Sequence, residues 1–193
     1  RNNFAWNSGG GIYSANSNPA LDNVIITDNS AGNYGNGFWC SYGSPTLDKV
    51  TIINNSEAIY CWNASPIIRN SIVSSIILGN PSGGWDPTIM YSNFYNGFGN
   101  VTNLVGINFT INANGDSCDV YYNIQEDPLF VDVVNGDYNL QATSPCIDAG
   151  DPNSIYNDPD ETIIDMGAHY FHQTIAGCTD STALNYNSNA NTD

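Results

Sequence analysis

Basic side chains are the scarcest feature of this 193-residue sequence. Three Lys and Arg stand against 19 Asp and Glu, for a formal net charge of -16 and a pI near 4.1. Three cations cannot neutralise a phosphate backbone or hold an anionic bilayer, which excludes nucleic acid and anionic membrane as partners. No run of about 18 apolar residues occurs, so no membrane insertion is expected. A helical hydrophobic period of useful length is missing too, and strands recur too often for βαβ crossovers. Charged residues make up only 11%, yet 41% are hydrophobic and 12% aromatic, whereas acidic disordered tails lack aromatics.

What is abundant is neutral and polar: 30 Asn and 18 Gly, with many Ser and Thr. Such turns replace the charged surface usual in cytoplasmic proteins, and five Cys suit an oxidising space. An extracellular or cell-surface location is therefore expected. The odd Cys count leaves one unpaired or paired elsewhere. The chain opens at Arg1 without Met or a signal-peptide pattern, which reads as an excised or processed piece. Sequons begin at Asn54, Asn63, Asn100 and Asn108, as chance produces in so Asn-rich a chain.

Segments around four prolines superimpose: Ser17-Asn18-Pro19-Ala20-Leu21-Asp22, Gly43-Ser44-Pro45-Thr46-Leu47-Asp48, Ala64-Ser65-Pro66-Ile67-Ile68-Arg69 and Trp85-Asp86-Pro87-Thr88-Ile89-Met90. The prolines are 26, 21 and 21 residues apart. A weaker fifth echo runs from Tyr138 through Ser144-Pro145-Cys146. Short alternating runs recurring at that interval, broken by Pro, Asn and Gly, fit a solenoid with one repeat per coil. The expected fold is all-β: a right-handed, single-stranded parallel β-helix with an irregular C-terminal cap. It spans residues 1–175, and 176–193 begin a short Cys-bounded repeat or linker.

Stacking turns the alignment into columns. Ile12, Phe38 and Ile59 form one inward column, and Ser14, Cys40 and Cys61 the next. Leu21, Leu47 and Ile68 line a second wall, and Ile26, Ile52 and Val73 a third. Tyr13, Trp39 and Tyr60 fall between inward columns, so period-two alternation points all three outward as an aromatic ladder, with Tyr42 and Trp62 nearby. The repeat loses register between Pro87 and Asp127, and Gly106 to Tyr122 reads as an insertion.

Gly9-Gly10-Gly11-Ile12-Tyr13, the repeated Ser-Pro-x-Leu/Ile and Asp127-Pro128-Leu129-Phe130-Val131-Asp132 resemble the pectate-lyase-type right-handed β-helix repeat proteins. Continuing through Asn135-Gly136-Asp137-Tyr138-Asn139-Leu140, Ser144 to Asp151 and Asp165-Met166-Gly167-Ala168, the motif is similar to the C-terminal region of the choice-of-anchor Q group. The resemblance covers roughly residues 9 to 173 and implies a secreted or surface β-helix protein, with polysaccharide activity as one expectation. Gly177-Cys178-Thr179-Asp180 to Asn187 resembles the start of a Cys-bounded, adhesin-type repeat. Hydrolases of the resembled fold use clustered Asp pairs with Gly-His-Gly and Arg-x-Lys, and none of these is present.

Four constellations carry candidate chemistry. Cys40 and Cys61, one coil apart, suit either a disulfide or two stacked buried thiols. Cys118 and Cys146 are a second pair. Asp151, Asp158, Asp160 and Asp165 crowd a loop whose oxygen ligands suit a structural Ca²⁺, or else cap turns as Asx motifs. Asp22, Asp48 and Arg69 share a column beside Lys49, readable as a lyase site with Arg69 as base or as surface ion pairs. The aromatic residues Tyr13, Trp39, Tyr60, Trp62 and Tyr42 support stacking on sugar rings, or cross-strand stacking of the sheet. An acidic surface favours a neutral polysaccharide over an anionic one. The leading expectation is therefore a binding or adhesive scaffold. The alternatives are part of a polysaccharide lyase or hydrolase, and a self-assembling structural subunit of an extracellular assembly.

Overall fold

Short β-branched and aromatic runs interrupted by Pro, Asn and Gly favour strands and turns over helix, and the chain is all-β. The computed structural model describes residues 1–79, 86–97, 99, 109–174, 176–186, 190 and 192. Trp85, Gly106 and the sequons at Asn100 and Asn108 lie outside them. Among the described residues, no helix is long and apolar enough to cross a membrane.

Two parallel sheets dominate. In one, β2 (Ile12–Ala15), β5 (Phe38–Ser41), β7 (Ile59–Trp62) and β10 (Ile76–Leu78) lie side by side. In the other, β3 (Ala20–Thr27), β6 (Thr46–Ile53), β8 (Ile67–Arg69) and β11 (Thr88–Met90) do so, and β9 (Ile72–Val73) also pairs with β6. The chain visits the two sheets alternately, and a third pairing joins β1 (Phe4–Ala5) to β4 (Ser30–Ala31).

Every expected inward column is in register. Ile12, Phe38, Ile59 and Ile76 stand opposite one another, as do Ser14, Cys40, Cys61 and Leu78. So do Leu21, Leu47, Ile68 and Ile89, and Ile26, Ile52 and Val73. Period-two alternation sends these side chains to one face, where all but the buried, polar Ser14 pack into a single apolar core. β10 begins 11 residues before its proline, Pro87, where the other repeats have 7, so the sequence alignment did not reach it.

Abundant Asn has two structural roles. At turns, and at bends inside β3 and β6, left-handed residues recur at the repeat spacing: Asn16, Tyr42 and Asn63; Asn23, Lys49, Asn70 and Tyr91; Asp28 and Asn54. Asn tolerates that conformation better than other side chains with a Cβ. Lys49 therefore sits at φ +50°, where its neighbours in the column, Asn23 and Asn70, relieve strain. Lys49→Asn is expected to raise stability by about 1 kcal/mol despite losing a surface ion pair. A lowered melting temperature in that variant contradicts the strain argument. Inside the fold, Asn29 and Asn55 are buried and form a hydrogen-bonded ladder, extended at its exposed end by Asn3.

Glycine is required where turns of successive repeats touch. A Cβ on Gly11 would lie 2.5 Å from the Gly37 carbonyl oxygen, and one on Gly37 would lie 2.4 Å from that of Ala58.

Where the sequence repeat loses register, the structure keeps it. Isolated parallel bridges join Ile72 to Asn93 and Asn93 to Ile124. A polar ladder accompanies them: the Ser71 backbone N–H donates to Ser92 Oγ, and the Ser92 N–H to Asn123 Oδ1. Within the extra length before Asn123, β12 (Thr110–Ile111) and β13 (Ser117–Cys118) form an antiparallel pair, consistent with the expected insertion.

The C-terminal segment departs from the expected cap. The Pro145 echo is not a further repeat, because β15 (Asp137–Leu140) pairs antiparallel with β14 (Phe130–Asp132) across a turn at Gly136, φ +82°. β15 and the residues after it lie along the flank of several repeats. Tyr138 Oη is 3.1 Å from Thr27 Oγ1, Ala168 N–H donates to Thr51 Oγ1, and Gly167 N–H to the Asn70 carbonyl. Met166, Leu140 and Cys146 close a second apolar core there against Ile53 and Ile72.

Candidate functional site

Tyr13, Trp39 and Tyr60 stand opposite one another on β2, β5 and β7, as the alternation requires. Tyr13 and Trp39 stack with ring centroids 4.3 Å apart and planes 8° from parallel. The expectation of three exposed rings is corrected at Tyr60, which is 7% exposed against 58% for Tyr13. Tyr34 stacks on Tyr60 at 4.5 Å, and Gly79 passes so close that a Cβ there would lie 2.3 Å from the Tyr60 hydroxyl. Burial, then the neighbouring Tyr34 and Glu57, pushes the Tyr60 hydroxyl pKa up.

Between the sheet and the Tyr34 loop lies a groove of about 480 Å³. Tyr13, Tyr34, Trp39, Tyr60 and Trp62 line it, and Asn7, Ser8 and Asn33 add small polar groups. None of its lining residues is charged. Tyr42 is exposed but does not line this groove. Sequence reasoning missed Tyr34, Asn7, Ser8 and Asn33, although the 26-residue spacing contained a signal. Gly9 and Gly35, both left-handed, precede equivalent strands, and Asn33 N–H donates to the Asn7 carbonyl at 2.7 Å.

The charged column is also in register, and the structure adds to it. Asp22, Asp48 and Arg69 stand opposite one another. Lys49 Nζ lies 3.0 Å from Asp22 Oδ1, and Arg69 Nη2 lies 2.8 Å from Asp48 Oδ2. Arg69 also donates to Tyr156 Oη at 2.8 Å, with its guanidinium 4.6 Å from that ring's centre. Burial opposes the guanidinium charge, but Asp48 and Tyr156 outweigh it and hold the pKa above its ordinary value. A guanidinium so held stays protonated and accepts no proton, which argues against Arg69 as a base.

The acidic loop reaches the same region from more than a hundred residues away. Lys49, Tyr156, Asp158, Asp165, His169 and Tyr170 are among the residues lining a cleft of about 520 Å³. Within it, Asp158 Oδ2 accepts the Asp165 backbone N–H at 2.8 Å, while Oδ1 has no hydrogen-bond partner among the described residues. Asp165, only 2% exposed, accepts the backbone N–H groups of Asp148 and Phe171. Asp160 accepts from Thr162 and the Gln173 N–H, and Asp151 from the Asn153 N–H.

Burial is the first cause of the Asp158 and Asp165 shifts. It raises Asp158 to about 6, helped by Asp160 and Asp148, and Asp165 to about 7, helped by Asp158 and Asp148. At Asp160 burial is outweighed by the Gln173 and Thr162 donors, and the pKa is lowered. Among the described residues, no three His, Cys, Asp or Glu side chains are grouped so as to hold a metal ion.

Cys40 and Cys61 are free, buried thiols with Sγ atoms 2.8 Å apart. Burial and then the Cys40 neighbour push the Cys61 thiol pKa well up, which makes it a poor nucleophile. Cys118 and Cys146 are likewise free and belong to the flanking core, where Cys146 is raised to about 12, first by burial.

Against known proteins, the chain matches no family model, no curated protein and no solved structure.

Proposed function

We propose that this chain is a carbohydrate-binding module of a secreted or cell-surface protein, with the aromatic groove as its glycan site. The observation that carries the reading is a groove of about 480 Å³ with five aromatic rings and three small polar side chains. Sugar rings present C–H faces that pack on Tyr and Trp, while Asn and Ser pair with hydroxyls. An uncharged lining on an acidic protein favours a neutral polysaccharide over a uronate polymer. The alternating parallel sheets, in register at spacings of 26 and 21 residues, support reading the repeats as coils of a right-handed parallel β-helix. That in turn supports the resemblance to the pectate-lyase-type repeat proteins.

Affinity electrophoresis and calorimetry against neutral polysaccharides, with uronate polymers as controls, test the proposal. Trp39→Ala and Trp62→Ala are each expected to weaken binding at least tenfold with an unchanged circular dichroism spectrum. Binding that survives both substitutions removes the groove from the argument. Parallel runs with Ca²⁺ and with chelator test the structural calcium expected at Asp151, Asp158, Asp160 and Asp165. Unsaturated-product absorbance in the same samples would favour the lyase reading.

A further inference from the structure

The acidic cleft uses none of the groove's residues, and distant parts of the chain converge on it. Lys49 comes from β6, Tyr156 to Asp158 from the C-terminal loop, and Tyr170 from beyond Met166. Its volume, about 520 Å³, is within the range of small-molecule pockets.

Residues that carry donors and acceptors line it together. The Lys49 ammonium has three N–H groups and lies within ion-pair distance of Asp22 Oδ1. Tyr156 Oη accepts from Arg69 and keeps its own O–H to donate. Asp158 Oδ1 is an acceptor without a partner among the described residues, and its Oδ2 is fixed by the Asp165 N–H. Asn157 donates its amide to the Glu161 carbonyl, leaving its own carbonyl oxygen as a second acceptor. Tyr156 and Tyr170 supply ring surface.

An anionic ligand would meet Asp158, and an apolar one would strip water from Lys49 and Asp158 without replacing it. A polyhydroxylated ligand satisfies donors and acceptors alike. Lys49 also keeps a left-handed backbone where the equivalent positions in the two adjacent repeats carry Asn23 and Asn70, so its ammonium reaches the cleft at a conformational cost.

We infer that this cleft is a second ligand site, one that takes a neutral sugar unit, with Asp158 Oδ1 accepting from one sugar hydroxyl and Lys49 Nζ donating to another. It is independent of the groove, and either site can fail alone.

The test titrates the intact chain with glucose, galactose, mannose, xylose, N-acetylglucosamine and their β-linked disaccharides, following backbone amide shifts by NMR. At least one sugar is expected to move the amides of Asn23, Asp158, Ala168 and His169. Lys49→Asn and Asp158→Asn are each expected to weaken that binding at least tenfold. Both variants suit the fold. Asn is native at the equivalent positions of the adjacent repeats, Asn23 and Asn70, and the bond from the Asp165 N–H needs only a carbonyl oxygen, which Asp158→Asn retains. Trp62→Ala should leave these shifts unchanged and abolish those at the groove. If no sugar moves the cleft amides at its highest soluble concentration, or if both cleft variants bind as the parent does, the inference is overturned.

Discussion

Asn55→Ala is expected to destabilise the chain by about 3 kcal/mol, because its side chain satisfies buried groups from two successive repeats. Asn55 Oδ1 accepts the Asn29 backbone N–H at 2.9 Å and the Asn29 amide at 3.2 Å. Its Nδ2 donates to the carbonyls of Ile26 and Ile53 at 2.9 and 2.8 Å. Alanine leaves these groups without partners in a site that is 7% exposed. Asn3, at the exposed end of the ladder, makes the equivalent bonds to Asn29, but water can replace them. Urea unfolding of Asn3→Ala, Asn29→Ala and Asn55→Ala checks this: the cost should be far smaller at Asn3. Equal costs at Asn3 and Asn55 would sink the burial argument.

The second large effect is on pH. Asp158 and Asp165 have folded pKa values of about 6 and about 7, above the ordinary carboxylate value. Between about pH 4 and 7 the folded chain therefore holds protons that the unfolded chain has released, so stability falls as pH rises through that window. Below it both states are protonated and the two groups' stabilisation is complete; above it both are ionised and the curve levels. Asp165, almost wholly buried, carries most of the fall, on the order of 2–4 kcal/mol. Half-buried Asp158 adds a smaller, solvent-screened part. Asp160 has the opposite sign: its lowered pKa adds stability that is lost as pH falls below the ordinary carboxylate range. Denaturant midpoints from pH 3 to 8 should pass through a maximum on the acid side of neutrality. Asp165→Asn should flatten the descent towards pH 7, and Asp158→Asn should reduce it if the first variant does not fold. A level curve between pH 5 and 7.5 in the parent chain would refute the assignment.

How far the fold was legible depended on where the information sits along the chain. The proline-anchored repeat placed Phe38 against Ile59, Leu47 against Ile68 and Asp48 against Arg69, and each pair is in register. Strand β10 was missed because Ile76 lies 11 residues before Pro87, where 7 separate Ile12, Phe38 and Ile59 from their prolines, and the Asn93 and Ile124 bridges because the insertion hides their spacing. The groove was half legible. Tyr13 and Trp39 followed from alternation, but the burial of Tyr60 depends on Tyr34 and Gly79, which belong to turns rather than strands.

The cleft was not legible at all. In the sequence its carboxylates and its lysine belong to two unrelated constellations. What joins them is the bond from Arg69 to Tyr156 and the docking of Ala168 on Thr51, across 87 and 117 residues of chain. The sequence by itself determined the all-β class, the inward columns and the facing of the aromatic row, because a period of two residues and a motif that realigns every 21 to 26 residues dictate which side chains stack. Only the tertiary structure decided that the C-terminal segment lies along the flank, covers Thr27, Thr51 and Asn70, and brings Asp158 beside Lys49. That choice rests on burying Met166, Leu140 and Cys146 against Ile53 and Ile72, an apolar match between distant segments that no local pattern encodes.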